Sequence, residues 1–218
     1  MKTIVCYGDS NTWGYKPEKM EPREGYKRFG YNERWPGKLQ QLLGDNYRVE
    51  EEGLSGRTTA FDDPFNPNLN GAKYFDCCMM IKAPVDLVII TLGTNDTKEY
   101  FGVNAFCIAM GLEQLIVKAL SGQYGPKGEN PEILVISPQP LRDNITKTWL
   151  AEIFGKGSLE KAKAIPTEYQ KMAAKHNCHF LDMANLVECS ELDAVHLDAS
   201  NHEKFAQVVH KKVLEIFK

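Results

Sequence analysis

Thr3-Ile4-Val5-Cys6-Tyr7-Gly8-Asp9-Ser10-Asn11 is a short apolar run that ends on a glycine, an acid and a hydroxyl. Such a run, bounded by a turn signal, reads as a strand buried on both faces, the kind that builds parallel sheets. Four further runs share its character: Tyr47 to Glu51, Val85 to Leu92, Ile133 to Ile136 and His179 to Asp182. Between them, Trp35 to Leu43, Ala105 to Leu120 and Ser158 to Lys175 repeat apolar residues at helical spacing. The last segment, Ala199 to Phe217, places Phe205, Val208, Val209, Val213 and Phe217 on one stripe. Pro166 should kink or divide the third of these helices. Strands alternating with helices predict an α/β chain with a parallel sheet covered on both faces, read as one domain over residues 1–218.

A chain of 218 residues with 43% hydrophobic and 25% charged residues buries a substantial core. Its net charge of -3, with basic residues dispersed as in Lys161, Lys163, Lys171 and Lys175, argues against a nucleic-acid partner. A small-molecule substrate is the default. The six cysteines form no C-x-x-C pair, and Cys6 and Cys178 sit in apolar runs where a thiol packs as a small hydrophobe. Buried thiols imply a reducing compartment. A first strand opening at Thr3 leaves no room for a leader, and no apolar run approaches the roughly 20 residues that span a bilayer. The expectation is a cytoplasmic protein with no membrane partner. No G-x-G-x-x-G or P-loop signature is present, so no nucleotide cofactor is expected. Four connections are long: Gly14 to Arg34, Thr58 to Phe75, Gly122 to Pro131 and Pro138 to Gly157. Loops of such length in a compact domain serve function or subunit contacts.

Four polar segments follow the strands. Gly8-Asp9-Ser10-Asn11 comes after the first, and alone it is no more than a turn with an N-cap. The second strand leads into Glu52-Gly53-Leu54-Ser55-Gly56-Arg57-Thr58-Thr59, the third into Gly93-Thr94-Asn95-Asp96, and the fifth into Asp193-Ala194-Val195-His196-Leu197. In an open parallel sheet, ligands bind outside the carboxyl ends of the strands, so all four converge on one rim. Ester chemistry needs this inventory. A serine hydroxyl becomes a nucleophile when an imidazole takes its proton, and an acid three residues before that histidine reaches its Nδ1–H. Ser10, His196 and Asp193 fill those places. The backbone N–H groups of Ser10 and Gly56 and the amide of Asn95 are candidate donors to an oxyanion, each worth roughly 3 kcal/mol of barrier. Of the other histidines, His202 alone lies near the rim; His176, His179 and His210 read as structural.

At these segments the sequence resembles the SGNH hydrolases, the GDSL-like esterase superfamily, block by block: Gly8-Asp9-Ser10-Asn11, Gly56, Gly93-Thr94-Asn95-Asp96 and Asp193 to His196. The resemblance implies a three-layer α/β/α sandwich with a five-stranded, flavodoxin-like parallel sheet. Glu51 to Thr59, Asp62-Asp63-Pro64, Leu69-Asn70-Gly71-Ala72 and Leu92 to Lys98 look like the mycobacterial arylesterase/acyltransferase branch. That likeness implies short-chain ester hydrolysis, acyl transfer to alcohols or peroxide, and a homo-oligomer with an apolar channel. Asn11 stands where a GDSL-type protein has Leu, and Gly56 where the close relative has Ala. Trp13, Trp149, Ile153, Phe154 and Val195 are the candidate pocket walls. Three other readings compete: a sugar deacetylase; a metal-dependent phosphoesterase using Asp9, Asp96, Asp193 and His196; and a non-catalytic flavodoxin-like binding module.

Overall fold

A computed structural model describes residues 1–22 and 25–218; positions 23 and 24 of the connection 14–34 lie outside the described residues. The strands β1 (Lys2–Gly8), β2 (Tyr47–Gly53), β3 (Leu87–Thr91), β4 (Glu132–Ser137) and β5 (His179–Asp182) form one parallel sheet in the order β2-β1-β3-β4-β5. This is the α/β sandwich expected. Gly8 pairs with Gly53 on one side and Thr91 on the other, so three strands end level. The chain goes from β1 to one flank and returns to the other flank as β3. Connections therefore leave opposite faces of the sheet at the β1/β3 boundary, and a crevice opens between them.

The three central strands β1, β3 and β4 are apolar through their middles because both faces are covered, whereas the edge strand β2 carries Arg48, Glu50, Glu51 and Glu52. Ile4, Cys6, Leu87, Ile89, Leu134 and Ile136 face α2 (Trp35–Leu43) and α7 (Ala199–Ile216), packing on Trp35, Leu39, Phe205 and Val209. Val5, Tyr7, Val88, Ile90, Ile133 and Val135 face α3 (Gly71–Lys82), α4 (Ala105–Ser121) and α6 (Ser158–Lys175), packing on Phe75, Ile108, Leu112 and Tyr169. Each fully buried side chain of this kind stabilises the fold by roughly 1.5–3 kcal/mol.

Two expectations change. The connection beginning at Thr58 is not a loop to Phe75, because α3 starts at Gly71. Asn70 nucleates it, its side-chain carbonyl accepting the N–H of Ala72 at 3.0 Å. Pro166 lies inside α6 without dividing it. The proline removes one backbone donor, while Ile165, Tyr169 and Met172 hold the flanking turns in the core. The connection 138–157 carries a 3-10 turn, Asp143–Lys147, and the one-turn helix α5 (Ala151–Phe154). Its Leu141, Ile145, Leu150 and Phe154 form a separate apolar cluster with Ala194 and Val195. All six cysteines are free thiols. Among the described residues no helix is long and apolar enough to cross a membrane.

Candidate active site

Ser10 opens α1 (Ser10–Trp13), a single helical turn that Asp9 caps by accepting the Asn11 N–H at 3.0 Å. At the first helical position the Ser10 N–H has no intrahelical acceptor, and it finds no other among the described residues. The segment after β5 folds back over this turn. Ala194 takes a left-handed conformation at φ 66, which costs a non-glycine residue roughly 1 kcal/mol and bends the chain sharply. That bend gathers polar groups around the buried Asp193. Asp193 Oδ1 accepts the N–H groups of Val195 and His196, both at 3.0 Å. Its Oδ2 lies 2.8 Å from His196 Nδ1, and His196 Nε2 lies 3.0 Å from Ser10 Oγ. The carboxylate thus selects the tautomer that leaves Nε2 free to accept the hydroxyl proton.

Asn11 locks the two segments together. Its amide nitrogen donates to the Val195 carbonyl at 3.3 Å, and its amide oxygen accepts the Leu197 N–H at 2.9 Å. Tyr15 lies flat against the imidazole of His196, with ring centroids 4.0 Å apart and planes 20° apart. The ring is buried, and its hydroxyl meets no hydrogen-bond partner among the described residues.

The opposite wall is the turn after β2, closed by Arg57 N–H donating to the Leu54 carbonyl at 3.0 Å. Gly56 sits in it at φ 88, where a Cβ would come within 2.9 Å of Leu69 Cδ1. Asn95 leaves β3 and donates one amide hydrogen to the Arg57 carbonyl at 3.1 Å, keeping the second for a guest. Arg57 itself runs beneath the turn, donating to the carbonyls of Gly8, at 3.0 Å, and Glu52, with its guanidinium 4.2 Å from the Tyr7 ring centroid. Asp96 accepts Thr59 N–H at 2.9 Å and Thr59 Oγ1–H at 2.5 Å. Burial pushes the carboxyls of Asp9 and Asp96 up to about 6.

Between these walls lies a cleft of about 280 Å³. Ser10, Gly56, Asn95 and His196 line it, as do four of the expected pocket residues, Trp149, Ile153, Phe154 and Val195. Trp13 does not. The turn α1 packs its Trp13 backbone on Gly53 of β2, and the indole is covered by Arg28 at 4.9 Å. Tyr15 stands beside the imidazole instead. Trp149 Nε1 donates to the Glu18 carbonyl at 3.1 Å, joining the connections 14–34 and 138–157 over the cleft. A larger hollow of about 600 Å³ around Arg142 is ringed by charges already paired, Arg142 with Glu188 and Glu191, and holds none of these groups.

Asp9, Asp96, Asp193 and His196 do not form a ligand set; among the described residues no group of three or more His, Cys, Asp or Glu side chains could hold a metal ion. His202 is fully buried in α7, where its Nδ1 accepts the Trp35 N–H at 3.2 Å, and burial lowers its pKa to about 3. Sequence reasoning missed the contacts made by Asn11, Tyr15 and Arg57, and missed Lys98, which also lines the cleft. Arg57 and Lys98 fall within stretches that carry the family resemblance, but only the fold shows what they touch.

The sequence profile of the GDSL-like lipase/acylhydrolase family matches residues 6–210. The aryl esterase of M. smegmatis is similar in structure, with a TM-score of 0.93 and 36% identity over 99% of each chain. A carbohydrate acetylesterase from Sinorhizobium meliloti gives a TM-score of 0.92 and 35% identity over 100% of each chain. An acetylxylan esterase of Xylanibacter ruminicola is 32% identical over 150 residues, which is 63% of this chain and 28% of that protein.

Proposed function

Because this chain belongs to the GDSL-like lipase/acylhydrolase family and is a carboxylic ester hydrolase, we propose that it cleaves short-chain esters through Ser10, His196 and Asp193. The observation that carries the reading is the continuous relay from Asp193 Oδ2 through His196 to Ser10 Oγ, at 2.8 and 3.0 Å. Ser10 Oγ attacks the ester carbonyl as His196 Nε2 takes its proton, and the buried Asp193 stabilises the imidazolium. The oxyanion draws on Ser10 N–H, Gly56 N–H and the second amide hydrogen of Asn95. Collapse of the tetrahedral species expels the alcohol, which takes the proton from His196 and leaves an acyl-Ser10. Water, or an alcohol or peroxide acceptor, then repeats the steps in reverse order. Apolar walls at Trp149, Ile153 and Phe154 favour an organic acceptor over water.

A fluorophosphonate should label Ser10, and Ser10→Ala should lower phenyl acetate turnover by at least about 10⁴-fold. Turnover unchanged in that variant refutes the assignment. Similarity to the S. meliloti carbohydrate acetylesterase supports a second reading, acetyl removal from sugars. Acetate release from acetylated xylan, measured beside phenyl acetate cleavage, separates the two.

A further inference from the structure

Lys98 has no part in the ester reaction, yet it lines the same cleft as Ser10, Asn95 and His196. It is only 8% exposed. Its Nζ makes no ion pair and no hydrogen bond with any described residue. Its surroundings are aromatic, with the ammonium 5.8 Å from the Tyr100 ring centroid and 5.9 Å from that of Phe154.

The neighbouring acids are engaged elsewhere. Asp63 Oδ2 accepts the Tyr100 hydroxyl at 2.7 Å, and its Oδ1 accepts the N–H groups of Phe65 and Asn66. Asp96 holds Thr59, and Asp9 holds Asn11. They act on Lys98 only at longer range, against the burial that lowers its pKa. An ammonium held mostly out of bulk water at the wall of a cleft, without a hydrogen-bonding anion, is costly, and an anionic guest recovers part of that cost. All three of its N–H donors remain available for one.

We infer that Lys98 makes the cleft a receptor for short esters that carry a free carboxylate, such as half-esters of four-carbon dicarboxylic acids. The inference rests on the esterase reading of the same cleft and names its substrate class. A cleft of about 280 Å³ lies at the small end for a ligand site, and the oxyanion donors and Lys98 line it together, so a short molecule that fills it meets both. A charge-assisted bond of Lys to carboxylate then adds to the binding of that molecule and not to that of its neutral isostere.

The test pairs isosteres. Methyl hydrogen succinate is compared with methyl levulinate, which has a carboxylate or a ketone on the acyl side. Acetoxyacetate is compared with acetoxyacetone, which places the same difference on the alcohol side. In the native protein kcat/KM should favour the carboxylate by at least about tenfold in one pair, and Lys98→Met should bring that ratio to about one while Lys98→Arg retains most of it. The ratio cancels any general damage to the site. No carboxylate preference in either pair, or a preference unchanged in Lys98→Met, overturns the inference. Calorimetric titration of Ser10→Ala protein with both succinate-pair compounds reads binding without turnover. Phenyl acetate left uncleaved by the native protein would sink the esterase reading, while selective binding of the half-ester would still uphold Lys98. If Lys98→Met does not fold, the native ratios and the Ser10→Ala titration decide alone.

Discussion

At Tyr15 it is the ring that meets His196, the proposed base, while the hydroxyl meets no partner among the described residues. The imidazolium that the proposed acylation forms at His196 would lie 4.0 Å beneath an electron-rich face, in a largely buried site. Such a desolvated cation–π contact contributes up to roughly 2 kcal/mol. The hydroxyl meets no partner, so Tyr15→Phe should keep kcat within about twofold. Tyr15→Leu should lower kcat about tenfold, with thermal unfolding unchanged enough to exclude collapse of the loop. Equal losses in both variants would assign the effect to the hydroxyl. Sequence alone singled out Ser10, Asp193, His196, Gly56 and Asn95 because each is tied to a motif at a strand end, and the fold brings four of them to one cleft and sets the buried Asp193 behind His196. Tyr15 lies in a long connection with no pattern around it, so nothing in composition marks its contact with a residue 181 positions away. Trp13 failed as a pocket wall for the same reason in reverse. Proximity along the chain to Ser10 says little about direction once a helical turn intervenes.

Among the elements, the central strands are legible because burial on both faces leaves their middles an unbroken apolar run. Helix α3 is not, since Tyr74, Met80 and Ile81 are exposed and blur the stripe made by Ala72, Phe75, Cys78 and Met79. Its start depends on a single side chain. Asn70 accepts from the N–H groups of Ala72 and Lys73 and donates to the Ala60 carbonyl and to Asp62 Oδ1. It therefore caps the helix and anchors the preceding connection, from which Asn66 and Leu69 reach the cleft. Asn70→Ala removes the cap and strands buried partners, for about 2 kcal/mol in total. In a protein of this size that corresponds to a melting temperature lower by roughly 4–8 °C. Calorimetry on the variant checks the figure, and a shift below 1 °C would show that α3 is held by its packing alone.

For the molecule entire, three buried titratable groups set opposing dependences of stability on pH. Asp9 and Asp96 titrate near 6 when folded, against roughly 3.9 for an unfolded aspartate, so the folded chain binds more protons between those values. Stability from this source falls as pH rises through that window and is constant above it. His202 acts the other way. Folded, it titrates near 3, against roughly 6.5 unfolded, so the unfolded chain binds the extra proton between pH 3 and 6.5. Its contribution is whole above pH 6.5 and is lost progressively on acidification, by roughly 2–3 kcal/mol between pH 7 and pH 4.5. Asn in its place can still accept the Trp35 N–H and does not charge. His202→Asn should therefore be less stable than the native protein at pH 7, through the smaller side chain, and recover roughly 2–3 kcal/mol relative to it at pH 4.5. Urea unfolding at both pH values measures the difference. A deficit equal at the two values would mean that His202 escapes protonation in neither state, or in both alike, and that acid sensitivity arises elsewhere in the fold.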